Sequence, residues 1–328
     1  MAVLVTGGAG YIGSHMVYAL ADAGEDVVVL DNLSTGFRWA LPDNVPLYEG
    51  DTGDEKLVLE IIARHEVESI IHFAASIVVP DSVADPLGYY RNNTANSRTL
   101  IEAAVKGGVS HFIFSSTAAV YGNPETVPVT EDAPTAPMSP YGWSKLMTEI
   151  ILRDTGHAHP LRYAVLRYFN VAGADPDLRT GQSTPAATHL IKVAAQAALG
   201  LRKKMDVFGT DYPTPDGTCI RDYIHVSDLV AAHSDALAHL RGGGQSVTLN
   251  CGYGRGFSVL DVIDTVKKVS GVDFRVDLSP RRPGDPARIV AASDRARGLL
   301  KWSPRYDDLP TIVSHALAWE KKLKKNNA

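Results

Sequence analysis

Along the first half of the chain, short and nearly continuous apolar runs alternate with stretches whose apolar residues recur every three or four positions. The runs Ala2–Thr6, Val27–Asp31, Ser69–Ala75, His111–Ser116 and Tyr163–Phe169 are rich in Val, Ile and Phe. That is the pattern of parallel strands covered on both faces, where neither side needs to be polar. Leu47–Glu49 reads as a further short strand. Between the runs, Ile12–Ala23, Glu55–Arg64 and Asn93–Val105 carry helical spacing. This βαβα alternation predicts an α/β fold with a doubly wound parallel sheet over residues 1–170. From about Val171 the pattern loosens. Pro and Gly thicken over Ala172–Pro185 and Gly209–Gly217, Gly242–Gly244 is a glycine run, and Pro280–Pro286 forms another loop. Residues 171–328 are therefore expected to form a smaller C-terminal α+β substrate domain, from which the chain can cross back to the first. The tail Lys321–Lys325 reads as a solvated basic helix end.

Composition narrows the class. At 328 residues, about two domains are expected. With 45% apolar and 21% charged residues the chain is globular rather than disordered. Lys and Arg total 32 against 37 Asp and Glu, a net charge of −5, which does not suggest a nucleic-acid partner. Cys219 and Cys251 have no partners at metal-ligand spacing and no His/Asp/Glu cluster does either, so no metal is expected. Sparse cysteine suits a reducing, cytoplasmic location. No apolar run approaches the roughly 20 residues of a membrane span. The first residues lack the basic region of a signal peptide and enter a motif at once.

That motif is Gly7-Gly8-Ala9-Gly10-Tyr11-Ile12-Gly13, set between the first strand and a helix. Glycines at 7, 10 and 13 allow a tight turn, close approach of backbone to a pyrophosphate, and tight packing of helix on strand. The helix start then offers N–H groups and a positive dipole end to the phosphates. A glycine-rich turn alone could be merely structural, but Asp31 closes the second strand about 20 residues further on. A carboxylate there accepts from ribose hydroxyls and repels a 2′-phosphate, which favours NAD over NADP in a Rossmann-type site. Asp51 ends the third strand, where it could reach the adenine or equally cap the following helix.

The second motif is Ser139-Pro140-Tyr141-Gly142-Trp143-Ser144-Lys145, with Ser139 suited to an N-cap and Pro140 to the first turn. Tyr141 and Lys145 stand one turn apart on one helix face. Alone, such a pair can be a surface coincidence. Beside a dinucleotide motif it suggests proton transfer. A free tyrosine has a pKa of ~10, so only about 0.1% is phenolate at pH 7, and bringing that pKa to 7 takes about 4 kcal/mol. A neighbouring ammonium and a positive nicotinamide ring can supply this in a dehydrated site. Tyr141 would then take a hydroxyl proton as hydride leaves for NAD. Thr117, at the end of Ser115-Ser116-Thr117 where the run His111–Ser116 closes, is the candidate to hold that hydroxyl.

Together these motifs resemble the extended short-chain dehydrogenase/reductase superfamily over essentially the whole chain. The segments Thr6–His15, Phe112–Gly122, Ser139–Lys145, Leu166–Gly173, Phe208–Asp216, Arg221–Val226 and Arg281–Asp285 are similar to its UDP-glucose 4-epimerase family. The resemblance implies a UDP-sugar substrate, UDP-glucose or UDP-galactose, interconverted through a transient 4-keto sugar on retained NAD. It also implies galactose metabolism and a homodimer. On the cofactor side it implies the turn Gly7–Gly13 with Tyr11 and Ile12, then Asn32, Leu33, Ser34, Thr35 and Gly36 after Asp31, and Thr52 beside Asp51. Phe73, Ala74, Ala75, Asn92 and Phe169 would border the nicotinamide half. On the substrate side it implies Asn170, His189, Leu190, Val207 and Phe208. Arg221 and Arg282 would bind the diphosphate, Asp285 the ribose, and Ile289 the sugar. Guanidinium forks suit a dianionic pyrophosphate. His72 and His225 are expected to be structural.

Related dehydratases carry acids just after the strand-end Thr, where this chain has Ala118 and Ala119, so oxidation and re-reduction at C4 are what the site provides for. Three positions depart from the epimerase pattern. Ile77 replaces a lysine near the cofactor, Thr188-His189 replaces a pair of asparagines, and Ile289 replaces a tyrosine lining the sugar pocket. The alternatives are a dehydratase, decarboxylase or dehydrogenase on the same scaffold, or a non-catalytic NAD-binding regulator.

Overall fold

The apolar runs fold into a parallel sheet. In the computed structural model, which describes residues 1–184, 188–282 and 285–326, the strands of the first half are β1 (Ala2–Thr6), β2 (Val27–Asp31), β3 (Leu47–Glu49), β4 (Val67–His72), β5 (His111–Thr117) and β6 (Arg162–Tyr168). They are followed by β7 (Asn170–Ala172), β8 (Met205–Phe208), β9 (Ile220–His225), β10 (Val247–Cys251), β11 (Gly256–Ser258), β12 (Val276–Ser279) and β13 (Arg288–Ile289). Helices α1 (Tyr11–Asp22), α2 (Glu55–His65), α3 (Val79–Ala84), α4 (Pro86–Tyr89), α5 (Asn96–Lys106) and α6 (Pro140–Ala158) lie in the first half. Helices α7 (Leu190–Ala198), α8 (Val226–Arg241), α9 (Val259–Ser270), α10 (Asp294–Leu300) and α11 (Leu309–Asn326) lie in the second. Pro185 of the expected Ala172–Pro185 loop, Pro283 and Gly284 of the Arg281–Asp285 segment, and Asn327 and Ala328 lie outside the described residues.

Among the described residues, seven strands form the central sheet in the order β10-β6-β5-β4-β1-β2-β3, all parallel. This is the doubly wound Rossmann-type arrangement. Strand β10, from the second half, crosses back to pair with β6, Leu249 opposite Leu166. The central strands β1, β2, β4 and β5 bury both faces. Val3, Val5, Val29, Ile71 and Ile113 point to one core layer, and Leu4, Val28, Leu30, Ile70 and Phe112 to the other. The two-residue period of a strand sends neighbours to opposite faces, so a doubly covered sheet reads as unbroken apolar sequence. Outside this sheet, β9 is flanked by β11 and β13 with β7 also pairing to it, and β8 pairs with β12.

Two expected boundaries moved. The run Ser69–Ala75 is a strand only to His72, because Phe73–Ala75 leave the ladder to pass over the β1–α1 turn. The expected helix Asn93–Val105 begins instead as a π-helical turn, Tyr90–Ala95, before α5. There the Asn93 side chain donates to the Ser76 carbonyl at 2.9 Å and to Ser144 Oγ at 3.0 Å, tethering the turn to its neighbours.

His72 is buried, its Nδ1 2.6 Å from Thr6 Oγ1 and its Nε2 2.8 Å from Ser97 Oγ. His225 accepts at Nδ1 from the Ser227 N–H at 3.0 Å and so caps α8. Burial holds His72 and His225 down to about 3 and His15 and His233 down to about 4. In the unfolded chain each returns to about 6.5, so below that pH the unfolded state binds more protons than the folded one. The stability they contribute is complete above pH 6.5 and is lost progressively toward pH 3–4. A melting temperature that falls as pH is lowered from 7 to 5 is the expected result. A flat profile across that window would show that these imidazoles titrate alike folded and unfolded.

Candidate active site

Strands β1 and β4 are neighbours while their connections leave in opposite directions, so their carboxyl ends open a crevice at the switch point of the sheet. Gly7 forms its turn with φ +69°, and a Cβ there would lie 2.6 Å from the Ala74 backbone nitrogen. The turn therefore rests directly on Phe73–Ala75. A Cβ on Gly13 would strike the Gly7 carbonyl. Gly10 caps α1 without a side chain, which leaves the first-turn N–H groups of Tyr11 and Ile12 free of any side-chain cap. A bare cradle that any added side chain would fill, at a helix start, fits the pyrophosphate of a dinucleotide.

Asp31 lies at the end of β2, accepting from the Ala9 N–H at 2.9 Å and the Leu33 N–H at 2.8 Å. Burial raises its pKa and these two bonds oppose the rise. It thus braces the glycine turn against the Asn32–Gly36 loop. In that loop Ser34 N–H donates to Asn32 Oδ1 at 3.1 Å, Thr35 is exposed, and Gly36 packs on Ala9. Asp51 accepts from the Gly53 N–H at 2.8 Å and from Asn96 Nδ2 at 2.7 Å, with Thr52 buried beside it. It does not cap α2, because Asp54 does, accepting from the Leu57 N–H at 3.1 Å. Asn92 donates to Ser76 Oγ at 2.8 Å, and the Tyr11 hydroxyl donates to the Gly173 carbonyl at 2.8 Å.

Tyr141 and Lys145 are buried on α6, whose cap is Ser139 accepting from the Gly142 N–H at 3.2 Å. Lys145 Nζ donates to the Ser115 carbonyl at 2.9 Å and lies 4.9 Å from the Phe114 ring centre. Burial lowers Lys145 to about 7, opposed by the Glu149 carboxylate. Burial raises the Tyr141 phenol, and the Thr117 hydroxyl opposes that rise. Thr117 Oγ1 accepts from the Ala119 N–H at 3.2 Å. The expected trio is thus brought together at the end of β5. Its phenol is protonated in the protein alone, so ionising it requires positive charge from Lys145 and from whatever binds alongside.

A cavity of about 520 Å³ lies beside β7 and β9, under α7 and α11. Asn170, His189, Leu190 and Phe208 line it, together with Arg221, Arg282 and Asp285. The Arg282 guanidinium lies 3.7 Å from the centre of the Phe208 ring, and Arg221 Nη2 is 3.7 Å from Asp285 Oδ1. Two guanidinium groups at one cavity are suited to a diphosphate. Tyr141, Thr117, Val207 and Ile289 are not among the described residues lining it. Val207 is fully buried on β8, and Ile289 packs with Phe169, Ala118 and Leu146 next to the trio.

Residues 3–252 match the model of the NAD dependent epimerase/dehydratase family. The chain belongs to this family. It is 60% identical, over 99% of its length and 93% of the relative's, to the UDP-glucose 4-epimerase of Azospirillum brasilense. The structure of the Brucella ovis UDP-glucose 4-epimerase in complex with NAD superposes with a TM-score of 0.93 at 42% identity, over 97% of this chain and 98% of that one. The UDP-Glc/GlcNAc 4-epimerase of Campylobacter jejuni, 50% identical, superposes with a TM-score of 0.85 over 98% and 99% of the two chains.

For a member of the NAD dependent epimerase/dehydratase family, some of the most telling residues were unread in the sequence. Buried Glu149 and Arg167 form an ion pair behind Lys145, with Arg167 Nη2 2.6 Å from Glu149 Oε2. Asp222 accepts three backbone N–H groups, from Tyr253 and Gly254 at 3.0 Å and Ala291 at 3.2 Å, and burial raises it to about 6. It fastens β9, and so Arg221, to the loop after β10. Only the i,i+4 spacing of Lys145 and Glu149 was a readable hint. Among the described residues no His/Cys/Asp/Glu cluster could hold a metal, and no helix is long and apolar enough to cross a membrane.

Proposed function

We propose that the chain interconverts UDP-glucose and UDP-galactose, with NAD held in the crevice by residues of 1–170 and the UDP-sugar held mainly by residues of 171–328. The observation that carries this reading is the trio Thr117, Tyr141 and Lys145 followed by Ala118 and Ala119. Proton transfer at one hydroxyl is provided, and the two residues after Thr117, Ala118 and Ala119, have no proton to give for elimination. The Gly7–Gly13 cradle and Asp31 would hold NAD. When bound, NAD supplies the reversible redox chemistry that takes C4 of the sugar to the ketone and back.

The chain's own residues do the rest. Thr117 holds the 4-hydroxyl, and Tyr141 takes and returns its proton. Lys145 lends the phenol positive charge from its seat on the Ser115 carbonyl. Arg221 and Arg282 grip the diphosphate while the sugar is free to turn about its link to it. NMR of UDP-galactose incubated with the protein and no added acceptor should show UDP-glucose. A 4-keto-6-deoxy product would instead identify a dehydratase, and free NADH accumulating from added NAD a dehydrogenase. No turnover by protein that carries NAD would leave a regulator. The likeness to the Campylobacter enzyme favours a second reading in which N-acetylated UDP-sugars are also used. We further propose a homodimer, for which the exposed Met147 and Ile150 of α6, with the adjoining Tyr90, Ala95 and Ile151, offer an apolar face to a second copy.

Asp31 tests the cofactor side. Asp31→Ala should weaken NAD binding by about 10- to 150-fold, from hydrogen bonds to a charged group worth about 1.5–3 kcal/mol, and should narrow the preference over NADP. Asp31→Asn keeps an oxygen for the Ala9 or Leu33 N–H but loses the charge, so it separates bracing from discrimination. The affinities of the stripped protein for NAD and NADP, measured by calorimetry, decide the matter. An unchanged NAD-to-NADP ratio in both variants would make Asp31 a purely structural brace.

A further inference from the structure

Behind the trio lies a buried polar network that the proposed chemistry does not use. Glu149 sits one helical turn beyond Lys145 on the same face of α6. Its Oε1 accepts from Ser116 Oγ, the residue before Thr117, and from Arg167 Nε at 3.1 Å. Its Oε2 accepts from Arg167 Nε at 3.2 Å and Nη2 at 2.6 Å. Arg167 is the residue before Tyr168 on β6. Its Nη1 donates to the Tyr121 hydroxyl at 3.0 Å and the Glu131 carbonyl at 3.4 Å. Tyr121 in turn donates to Asn250 Oδ1 of β10 at 2.7 Å. Glu149, Arg167, Ser116, Tyr121 and Asn250 are all buried.

Stability alone does not account for this. A buried ion pair seldom holds a fold together better than apolar side chains of the same volume, since both charges must be desolvated. What an apolar pair could not do is place an anion one turn from a buried ammonium. We propose that Glu149 is a positioning residue for proton transfer: it clamps the Lys145 turn of α6 to the strand ends carrying Thr117 and Tyr168, and it is the anion that keeps Lys145 charged. This rests on the reading of Tyr141 as the proton acceptor.

The surroundings leave that task to Glu149. Facing Lys145 and Tyr141 are His72 of β4, which burial keeps neutral, and Tyr168 of β6 and Tyr89 of α4, whose phenols burial raises. Arg167 faces Glu149 from its far side, and Tyr121 backs Arg167. Burial pulls Lys145 down to about 7, and Glu149 is the group that opposes the fall. Without the carboxylate, Lys145 loses its proton at lower pH, less positive charge stands beside the phenol, and Tyr141 ionises at higher pH. Direct repulsion between Glu149 and the phenolate acts the other way. It is weaker, because the two residues are two turns apart, about 12 Å along the helix, with Lys145 between them.

The test is a spectrophotometric titration of the NAD-bound full chain at the phenolate absorbance, with the Tyr141→Phe titration subtracted to isolate Tyr141. In Glu149→Gln the Tyr141 pKa should rise by about one unit, kcat at pH 7 should fall about tenfold, and KM for the UDP-sugar should stay within about threefold. Glu149→Asp, which keeps the charge, should restore most of the shift, and it serves as the test if the Gln variant does not fold. In that event an Asp variant with the wild-type pKa supports the charge role, and an Asp variant shifted by a full unit overturns it. A lowered melting temperature with an unmoved Tyr141 pKa in Glu149→Gln would make Glu149 a packing element only. If the wild-type protein shows no titration that Tyr141→Phe abolishes, the assignment of Tyr141 itself fails, whatever Glu149 does.

Discussion

Replacing Tyr141 by phenylalanine is expected to lower turnover by about 10²- to 10⁴-fold, the usual contribution of a positioned acid–base group, while UDP-sugar affinity stays within about threefold. The ring of Tyr141 is buried on α6 and keeps its packing in the variant; only the hydroxyl is lost. The diphosphate would still be gripped by Arg221 and Arg282, in a cavity whose described lining does not include Tyr141. Binding and chemistry therefore separate cleanly in this variant. The prediction is also demanding of Lys145. A phenol needs about 4 kcal/mol to ionise at pH 7 from its ordinary state, and burial here raises that requirement. Lys145, lowered by burial to about 7, supplies charge only in part near neutral pH, so the remainder must come with the bound cofactor. Steady-state kinetics and calorimetric UDP-sugar affinities of the NAD-loaded variant check this. Turnover near that of the native protein would remove Tyr141 from the proton path.

What was legible in advance was what depends on neighbours in sequence. The β1–α1 glycine turn, the Ser139 cap and the Tyr141–Lys145 pair each lie within a few residues of one another, so spacing alone placed them. The strands could be read because burial on both faces leaves no polar position to interrupt them. What escaped notice depends on partners brought together by the fold. Glu149 meets Arg167 only because α6 packs against β6, and Asp222 is explained only by three backbone N–H groups from remote loops. The capping role open to Asp51 went to Asp54, three residues on, because the loop after β3 must first turn. Phe73–Ala75 read as strand because they are apolar, yet they are apolar in order to lie on Gly7. That the chain crosses back to the first half was expected, but which segment returns, β10 beside β6, carried no local signal, since a strand does not name its neighbour.

If the sugar sits beside the trio as proposed, Ile289 yields the other large effect, a preference for UDP-glucose and UDP-galactose over N-acetylated UDP-sugars. Ile289 lies on β13, paired with β9 so that it stands beside Arg221, and it is buried against Phe169, Ala118 and Leu146. The resemblance to the epimerase family implies that a large aromatic at the matching position would crowd the 2-substituent of the sugar and that a small residue would admit an acetyl group. Isoleucine is smaller than tyrosine, but its β-branch allows few rotamers and its neighbours leave it nowhere to swing. An acetyl group forced into such packing should cost about 1–3 kcal/mol, or roughly 5- to 150-fold in kcat/KM. Weak but measurable activity on UDP-N-acetylglucosamine is therefore expected in the native protein. In Ile289→Cys that activity should rise while activity on UDP-galactose changes little, because the smaller side chain opens space without touching Tyr141, Lys145 or Thr117. The decisive measurement is kcat/KM for both sugars in both proteins. Equal efficiencies on plain and acetylated sugars in the native protein would show that Ile289 does not set the size limit, and that the pocket is bounded elsewhere.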